Sequence, residues 1–221
     1  MVGGMDAPAR PMRGVRQRRA GETRARIFAA ATDLFSKRGY QATTIDSIAA
    51  QAGVAKGTFF VHFPSKDAVI TALVRIQTTA ARKARARVLE QAKGPIEALR
   101  AAVMTLGEQA AHNPTLSRGV LTATLASQEV GGEAAKLFDE VFAEMVSDAR
   151  AAAHARLLAS HVNPDTLAAS LIASYLGALL HFTSSPRTHS LLDVLTPLVE
   201  ANVAGALRRP PTKTRTRRKG R

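Results

Sequence analysis

The sequence has 221 residues, of which 46% are hydrophobic, so it can fold into one sizeable domain or two modest ones and is not a wholly disordered chain. The net charge of +14 is concentrated at the two ends, while the segment between them is nearly neutral. Residues 1–26 contain seven Arg against two acidic residues, and residues 208–221 contain eight basic residues and no acidic one. Such basic tails favour polyanions as partners. The lack of Cys excludes disulfides, thiolate metal sites and cysteine catalysis.

The distribution of apolar residues argues against export and against membrane insertion. The N-terminus is basic, but no continuous apolar run follows its arginines, so no signal peptide is predicted. Residues 166–186 are uncharged and long enough to span a bilayer, but they include several Ser, Thr and His side chains. We interpret this stretch as a buried or interface helix. We therefore expect a cytoplasmic protein that does not use a membrane.

In chain order, the pattern predicts helices and no strands. Residues 1–21 contain Pro8 and Pro11 and are predicted to be a disordered basic arm. Gly39 ends the first helix; Thr43 or Thr44 caps the second, with Thr43 and Asp46 as a capping box; Ser65 caps the fourth. Residues 208–221 are predicted to be a disordered basic tail. The predicted helices cover approximately residues 22–38, 44–52, 55–62, 65–92, 95–112, 114–127, 132–160, 164–183 and 188–207.

Residues 43–66 form the most informative stretch. Two short helices flank Gly53, where a left-handed backbone is inexpensive because glycine has no Cβ. The second helix is too short to be stable alone, and Phe59 and Phe63 can anchor it. It begins with Lys56, Gly57 and Thr58, which are small or basic and can enter a major groove without steric conflict. The pattern is typical of a helix-turn-helix.

This stretch and its flanks resemble the TetR family of transcriptional regulators. The resemblance covers about fifty residues, from 23 to 73, and the later helices agree with the family only in number and length. It implies an all-α protein with a three-helix DNA-binding head at 22–66 and a helical bundle for ligand binding and dimerisation at 67–207. The residues that match are those of 27–35, Gly39-Tyr40, Thr43-Thr44-Ile45, Ile48-Ala49, Ala52-Gly53-Val54, Gly57-Thr58-Phe59, His62-Phe63 and Lys66.

The resemblance also implies roles for individual residues on double-stranded DNA. Departures from the family pattern are Ala55, where a capping Ser is common, and Phe60 and Val61, where tyrosines are common. Arg18 and Arg19 in the arm are expected to reach the minor groove or phosphates. The expected phosphate contacts are Thr43 or Thr44, His62 and Lys66; the expected base contacts are Lys56, Gly57 and Thr58; Phe60 is expected against a sugar or a thymine methyl.

A ligand cavity and a dimer interface are expected in the bundle. The ligand is expected to be a neutral or weakly charged hydrophobic molecule, although the same side chains can simply fill the core. The leucine-rich last two helices are expected to form a two-fold dimer that places the recognition helices about one DNA turn apart, ~34–36 Å, on a palindromic operator. The expected cavity residues are Met104, Leu121, Leu125, Phe138, Phe142, Met145, Tyr175 and His181.

Two functions remain open at this point. The first is a sequence-specific repressor that a ligand releases from DNA, and the second is a non-specific or architectural DNA-binding protein that uses its basic tails. An enzyme is not expected, because the sequence has no metalloprotease, P-loop or nucleophile-elbow motif. His154 and His161 are seven residues apart with no third ligand placed by spacing, so no metal and no cofactor are expected.

Overall fold

The computed structural model describes residues 12–126, 128–184 and 190–208, and these fold into nine α-helices without a strand. One isolated antiparallel bridge joins Leu158 to Leu207. The helices are α1 (Met12–Arg38), α2 (Ile45–Ala52), α3 (Lys56–His62), α4 (Lys66–Glu90), α5 (Pro95–Ala111), α6 (Pro114–Ala126), α7 (Gln128–His154), α8 (Pro164–Ser184) and α9 (Leu191–Ala206). The all-α prediction is confirmed.

Three predicted helix boundaries are wrong. Helix α1 begins at Met12 rather than at residue 22, so residues 12–21 of the predicted arm are helical. No proline follows Pro11 in this stretch, and Met, Arg, Gln and Ala are all good helix formers. Helix α7 begins at Gln128, before the Gly131-Gly132 pair, and ends at His154 rather than near residue 160. The disorder predicted for residues 1–11 and 209–221 concerns residues outside those that the structure describes.

The turns around α2 follow from local hydrogen bonds. Thr44 is the N-cap: its Oγ1 accepts a hydrogen bond from the Ser47 amide at 3.2 Å, and the Ser47 hydroxyl accepts one from the Thr44 amide. The capping box therefore uses Thr44 and Ser47, and the predicted pairing of Thr43 with Asp46 is wrong. Gly53 ends α2 with φ 65° and ψ 42°, the left-handed conformation expected of it.

The N-terminal three helices share a core with the rest of the protein. Ile27 and Phe35 of α1, Ile48 of α2 and Phe59 of α3 are fully buried. The same apolar cluster includes residues of α4, α6 and α7, so the predicted boundary at residue 66 passes through a continuous core. The head is consequently attached to the bundle both through α4 and by side-chain packing.

The bundle of α4–α9 encloses the larger core. Its largest fully buried side chains include Leu99, Met145, Leu171 and Tyr175. In length and composition, α8 meets the requirement for a membrane span, a test that core helices of soluble proteins also pass. Here Leu171, Tyr175 and Ala178 of α8 are buried inside the bundle.

Candidate nucleic-acid interface and ligand cavity

The N-terminus of α3 is open to solvent. Ala55, its N-cap, supplies no side-chain hydrogen bond, so the first amide groups of the helix are not capped by a side chain. Lys56 is exposed, and its Nζ forms an ion pair with Asp46 at 2.9 Å. A Cβ placed on Gly57 would meet no atom within 4 Å. Another macromolecule can therefore approach the α3 backbone closely at Gly57, beside the half-buried Thr58.

The outer face of α3 is apolar. Phe60 is 46% exposed and Val61 is 80% exposed. On the inner face, Phe59 is fully buried, and its ring meets that of Phe60 edge-on with centroids 5.6 Å apart. The packed inner ring thus holds Phe60 in a defined position at the surface.

Thr43 and Lys66 hold the head together. Thr43 is 1% exposed, and its hydroxyl donates to the Gly39 carbonyl at 2.8 Å, so the phosphate contact expected of its side chain is wrong. The Lys66 ammonium donates to the carbonyls of Tyr40 at 2.9 Å and Thr43 at 3.0 Å, and it lies 4.2 Å from the Tyr40 ring centroid. Partial burial lowers the pKa of Lys66. Two of the three N–H donors of Lys66 therefore already bond within the protein. Of the two candidate threonines, Thr43 and Thr44, only Thr44 is exposed.

Basic side chains of α1 lie beside this surface. Arg18 and Arg19 are exposed on the first turns of α1 rather than on a flexible arm. Arg24, which the sequence analysis did not single out, lies with its guanidinium carbon 4.3 Å from the Phe63 ring centroid. The two residues are far apart in sequence, so no spacing rule points to this contact. It links α1 to the end of α3, next to the half-buried His62.

The head also contacts α6. The Ser36 hydroxyl donates to Asn113 Oδ1 at 3.1 Å, and Asn113 in turn accepts a hydrogen bond from the Leu116 amide. A Cβ placed on Gly119 of α6 would lie 3.6 Å from Tyr40 Cβ. The Tyr40 hydroxyl donates to Asp67 at the start of α4. The head is therefore in direct contact with α6 and with the start of α4.

A cavity of about 60 Å³ lies between α4, α5, α6, α7 and α8. Of the residues predicted to line a cavity, Leu121, Phe138 and Tyr175 do so. Burial raises the pKa of the Tyr175 hydroxyl to about 12, so it is neutral at physiological pH. The lining residues are Val74, Gln77, Ala110, Ser117, Val120, Leu121, Thr124, Phe138, Tyr175, Leu176 and Leu179.

The other five predicted cavity residues lie elsewhere. Met145 is fully buried in the bundle core, and Met104 and Phe142 pack against that core. Leu125 is 76% exposed and His181 is exposed, so their assignment to the cavity is wrong. The face of α6 that lines the cavity includes two small polar residues, Ser117 and Thr124, which a pattern of apolar side chains does not indicate. Leu125, the residue after Thr124, lies outside that face.

Ion pairs fasten α4 to α7. Arg85 Nε lies 2.5 Å from Asp148 Oδ2, and the Asp148 side chain is only 6% exposed. The hydrogen bond to Asp148 raises the pKa of Arg85. Arg82 pairs with Glu140 at 2.8 Å and Glu144 at 2.7 Å. These partners are about sixty residues apart in sequence, which is why sequence inspection missed the connection.

Comparison with known proteins agrees with this arrangement. Residues 27–73 match the family described as "Bacterial regulatory proteins, tetR family". The uncharacterized HTH-type transcriptional regulator YerO of Bacillus subtilis is 45% identical over 49 residues, which are 22% of this chain and 17% of YerO. The alignment thus spans about a sixth of that curated relative.

Solved structures extend the likeness to the bundle. FadR of Thermus thermophilus, a TetR-family repressor solved with lauroyl-CoA, is 26% identical with a TM-score of 0.64, over 86% of this chain and 98% of that one. SmeT, solved with triclosan and described as the repressor of a Stenotrophomonas maltophilia efflux pump, has a TM-score of 0.71 at 23% identity over 86% of this chain and 96% of that one, which shows a shared fold. Residues 27–73 therefore match the TetR family of bacterial regulatory proteins, and the whole chain shares its fold with solved structures of that family.

Proposed function

We propose that this protein is a cytoplasmic transcriptional repressor that binds a palindromic operator as a homodimer and leaves it when a small hydrophobic effector binds. The observation that carries the proposal is the N-terminus of α3, which is solvent-exposed and has no Cβ at Gly57. A helix presented in this way fits the major groove, where base edges are distinguishable.

In this proposal, Lys56, Gly57 and Thr58 face base edges. Lys56 leaves its exposed ion pair with Asp46 to reach an acceptor, at little cost because such surface pairs contribute about 0–1 kcal/mol. The exposed Phe60 meets a thymine methyl or a sugar. The proposed phosphate contacts are Thr44, His62, Arg18 and Arg19, while Lys66 supports the turn from inside the head.

A dimer through α8 and α9 is supported by the leucines that these helices leave exposed. Most of their leucines, such as Leu171 and Leu195, fill the protein's own core. Leu180 and Leu198, however, are 54% and 40% exposed. Pairing of α8 and α9 with the same helices of a second copy, by two-fold symmetry, would bury these two leucines. It would also place two copies of α3 on successive turns of the operator.

Release of the operator on effector binding is supported by α4 and α6, because both helices line the cavity and both pack against the head. Val74 and Gln77 lie on α4, which begins in the head at Lys66, and Leu121 lies on α6, which packs on the head. Lauroyl-CoA and triclosan, held by the two relatives, both carry large apolar portions. A ligand that favours one position of α4 changes the spacing of the two heads.

The alternative function, a non-specific DNA-binding protein that uses its basic tails, has less support. The charge of residues 27–207 is nearly balanced, and these residues build a large apolar bundle with a cavity, which electrostatic binding to DNA does not require. The two functions differ in how strongly the affinity for DNA depends on base sequence.

The test is selection of operator DNA from a random library, followed by measurement of base preference for variants. We expect Thr58→Ala to relax preference at one or two positions by about 1–3 kcal/mol. Thr44→Ala is the matched control, which should lower affinity for all sequences to a similar degree because it removes a phosphate contact and a helix cap. An unchanged base preference for Thr58→Ala refutes the proposed docking.

A further inference from the structure

Two buried polar side chains that line the cavity have no hydrogen-bond partner among the described residues. Gln77 of α4 is 8% exposed and Tyr175 of α8 is 2% exposed, and both line the cavity. Of the two other hydroxyls in the lining, that of Ser117 donates to the Ala110 carbonyl at 2.6 Å, and that of the half-buried Thr124 makes no hydrogen bond among the described residues. The Gln77 amide and the Tyr175 hydroxyl are thus the unpaired polar groups on the most buried residues of the lining.

Among the described residues, Arg100 Nε is the one fully buried polar side-chain atom without a hydrogen-bond partner, so the polar atoms of Gln77 and Tyr175 keep some accessible surface. A purely apolar ligand that covered them would leave them buried and unpaired. A buried donor or acceptor without a partner costs about 1–3 kcal/mol, and the large majority of such groups in folded proteins are paired. A purely apolar effector would be bound equally well by leucine and phenylalanine at the two positions. The pair therefore indicates a ligand that brings its own hydrogen-bonding group.

The other lining residues restrict the charge and shape of that ligand. None of the described residues that line the cavity is charged, so an anionic or cationic group would be buried without a counter-ion. Leu176 of α8 is 45% exposed and Leu121 of α6 is half-buried, whereas Gln77 and Tyr175 are buried. Entry between α6 and α8 would place the polar end of a ligand beside Gln77 and Tyr175 and its apolar part beside the two leucines.

We propose that the effector is an uncharged molecule with a hydroxyl, carbonyl or amide group that hydrogen-bonds Gln77 on α4 and Tyr175 on α8. This inference rests on the proposed function and narrows it, because it assigns the recognition of the effector to two residues and excludes charged effectors. Since the ligand bridges α4 and α8, its polar group acts directly on the helix that carries the head.

The experiment uses phenol, toluene and benzoate, three single-ring probes that differ in one substituent. Binding to the full chain is measured by calorimetry for the wild type, Gln77→Leu, Tyr175→Phe and the control Gln109→Leu, which changes an exposed glutamine of α5. We expect phenol to bind about fivefold or more tightly than toluene, and benzoate no more tightly than toluene. Gln77→Leu and Tyr175→Phe should each weaken phenol binding about three- to tenfold and leave toluene binding unchanged.

The melting temperatures of the free variants separate recognition from structure. Because neither side chain has a partner within the described fold, Gln77→Leu and Tyr175→Phe should melt at or above the wild-type temperature. The inference would be overturned if phenol bound no more tightly than toluene or did not bind detectably. It would also be overturned if benzoate bound most tightly, or if the two variants bound phenol as the wild type does. Operator release is measured separately: selective phenol binding without release leaves this inference standing and refutes the effector part of the proposed function.

Discussion

Gly57→Ala should make the protein more stable and a weaker DNA binder. A methyl group at this position meets no protein atom within 4 Å, and the residue lies in the first turn of a right-handed helix. Replacing glycine by alanine in a helix stabilises it by about 0.5–1 kcal/mol, which corresponds to a rise of about 1–4 °C in melting temperature for a chain of this size. On DNA, the same methyl would occupy the closest approach of α3 to the base edges. Losing one good base contact costs about 1–3 kcal/mol, or about 5- to 150-fold in operator affinity.

The assay compares melting temperature and operator affinity for the same preparations. Gly132→Ala is the matched control, because Gly132 is an exposed glycine inside α7 whose Cβ would also meet no atom within 4 Å. We expect a similar gain in stability for the control and no change in DNA binding. If Gly57→Ala binds the operator as tightly as the wild type, α3 does not enter the groove at this residue and the docking is wrong.

Three further predictions concern the bundle. Gly107→Ala should destabilise the protein by about 1 kcal/mol or more, measured by denaturant unfolding, because the new Cβ would lie 2.3 Å from Cδ2 of the fully buried Leu195; an unchanged midpoint would show that the α5–α9 contact can relax. Asp148→Ala should lower the free energy of unfolding by about 3 kcal/mol in the same measurement, because it removes the least exposed partner of the Arg85 guanidinium. A loss below about 0.5 kcal/mol, the level of a surface ion pair, would refute the importance of this α4–α7 link. In a Tyr40→Phe variant, Tyr175 is the one tyrosine left, and its ultraviolet titration should have a midpoint near pH 12. Because its folded pKa exceeds the unfolded value of 10, its contribution to stability is fully present below pH 10 and is lost between pH 10 and 12. A midpoint at pH 10 would show that the hydroxyl is exposed.

The head was predictable because local signals determine it. Gly53, the caps at Thr44 and Ser65, and the spacing of Phe59 and Phe63 each act within a few residues, and the structure agrees with each. The capping box was misplaced by one residue because Thr43 and Thr44 both carry a suitable hydroxyl. Only the packed turn shows that Thr43 points inward to the Gly39 carbonyl.

The cavity and the interhelical links could be predicted only in part. Apolar composition identified Leu121, Phe138 and Tyr175 but does not distinguish a cavity wall from a packed core, as Met145 shows. The polar lining and the α4–α7 ion pairs depend on the relative rotation of helices that are distant in sequence. Neither helical periodicity nor composition contains that information.

In the function proposed here, α3 reads DNA sequence as part of a two-fold dimer. The most direct test is the affinity of the full chain, at fixed physiological salt, for its selected palindromic operator and for a scrambled duplex of the same composition. We expect an affinity ratio of about 10³ or more, with two protomers bound per operator. Equal affinity for the two duplexes would contradict this expectation, and a steep fall of both affinities in a salt titration would then show that the basic charge alone binds DNA.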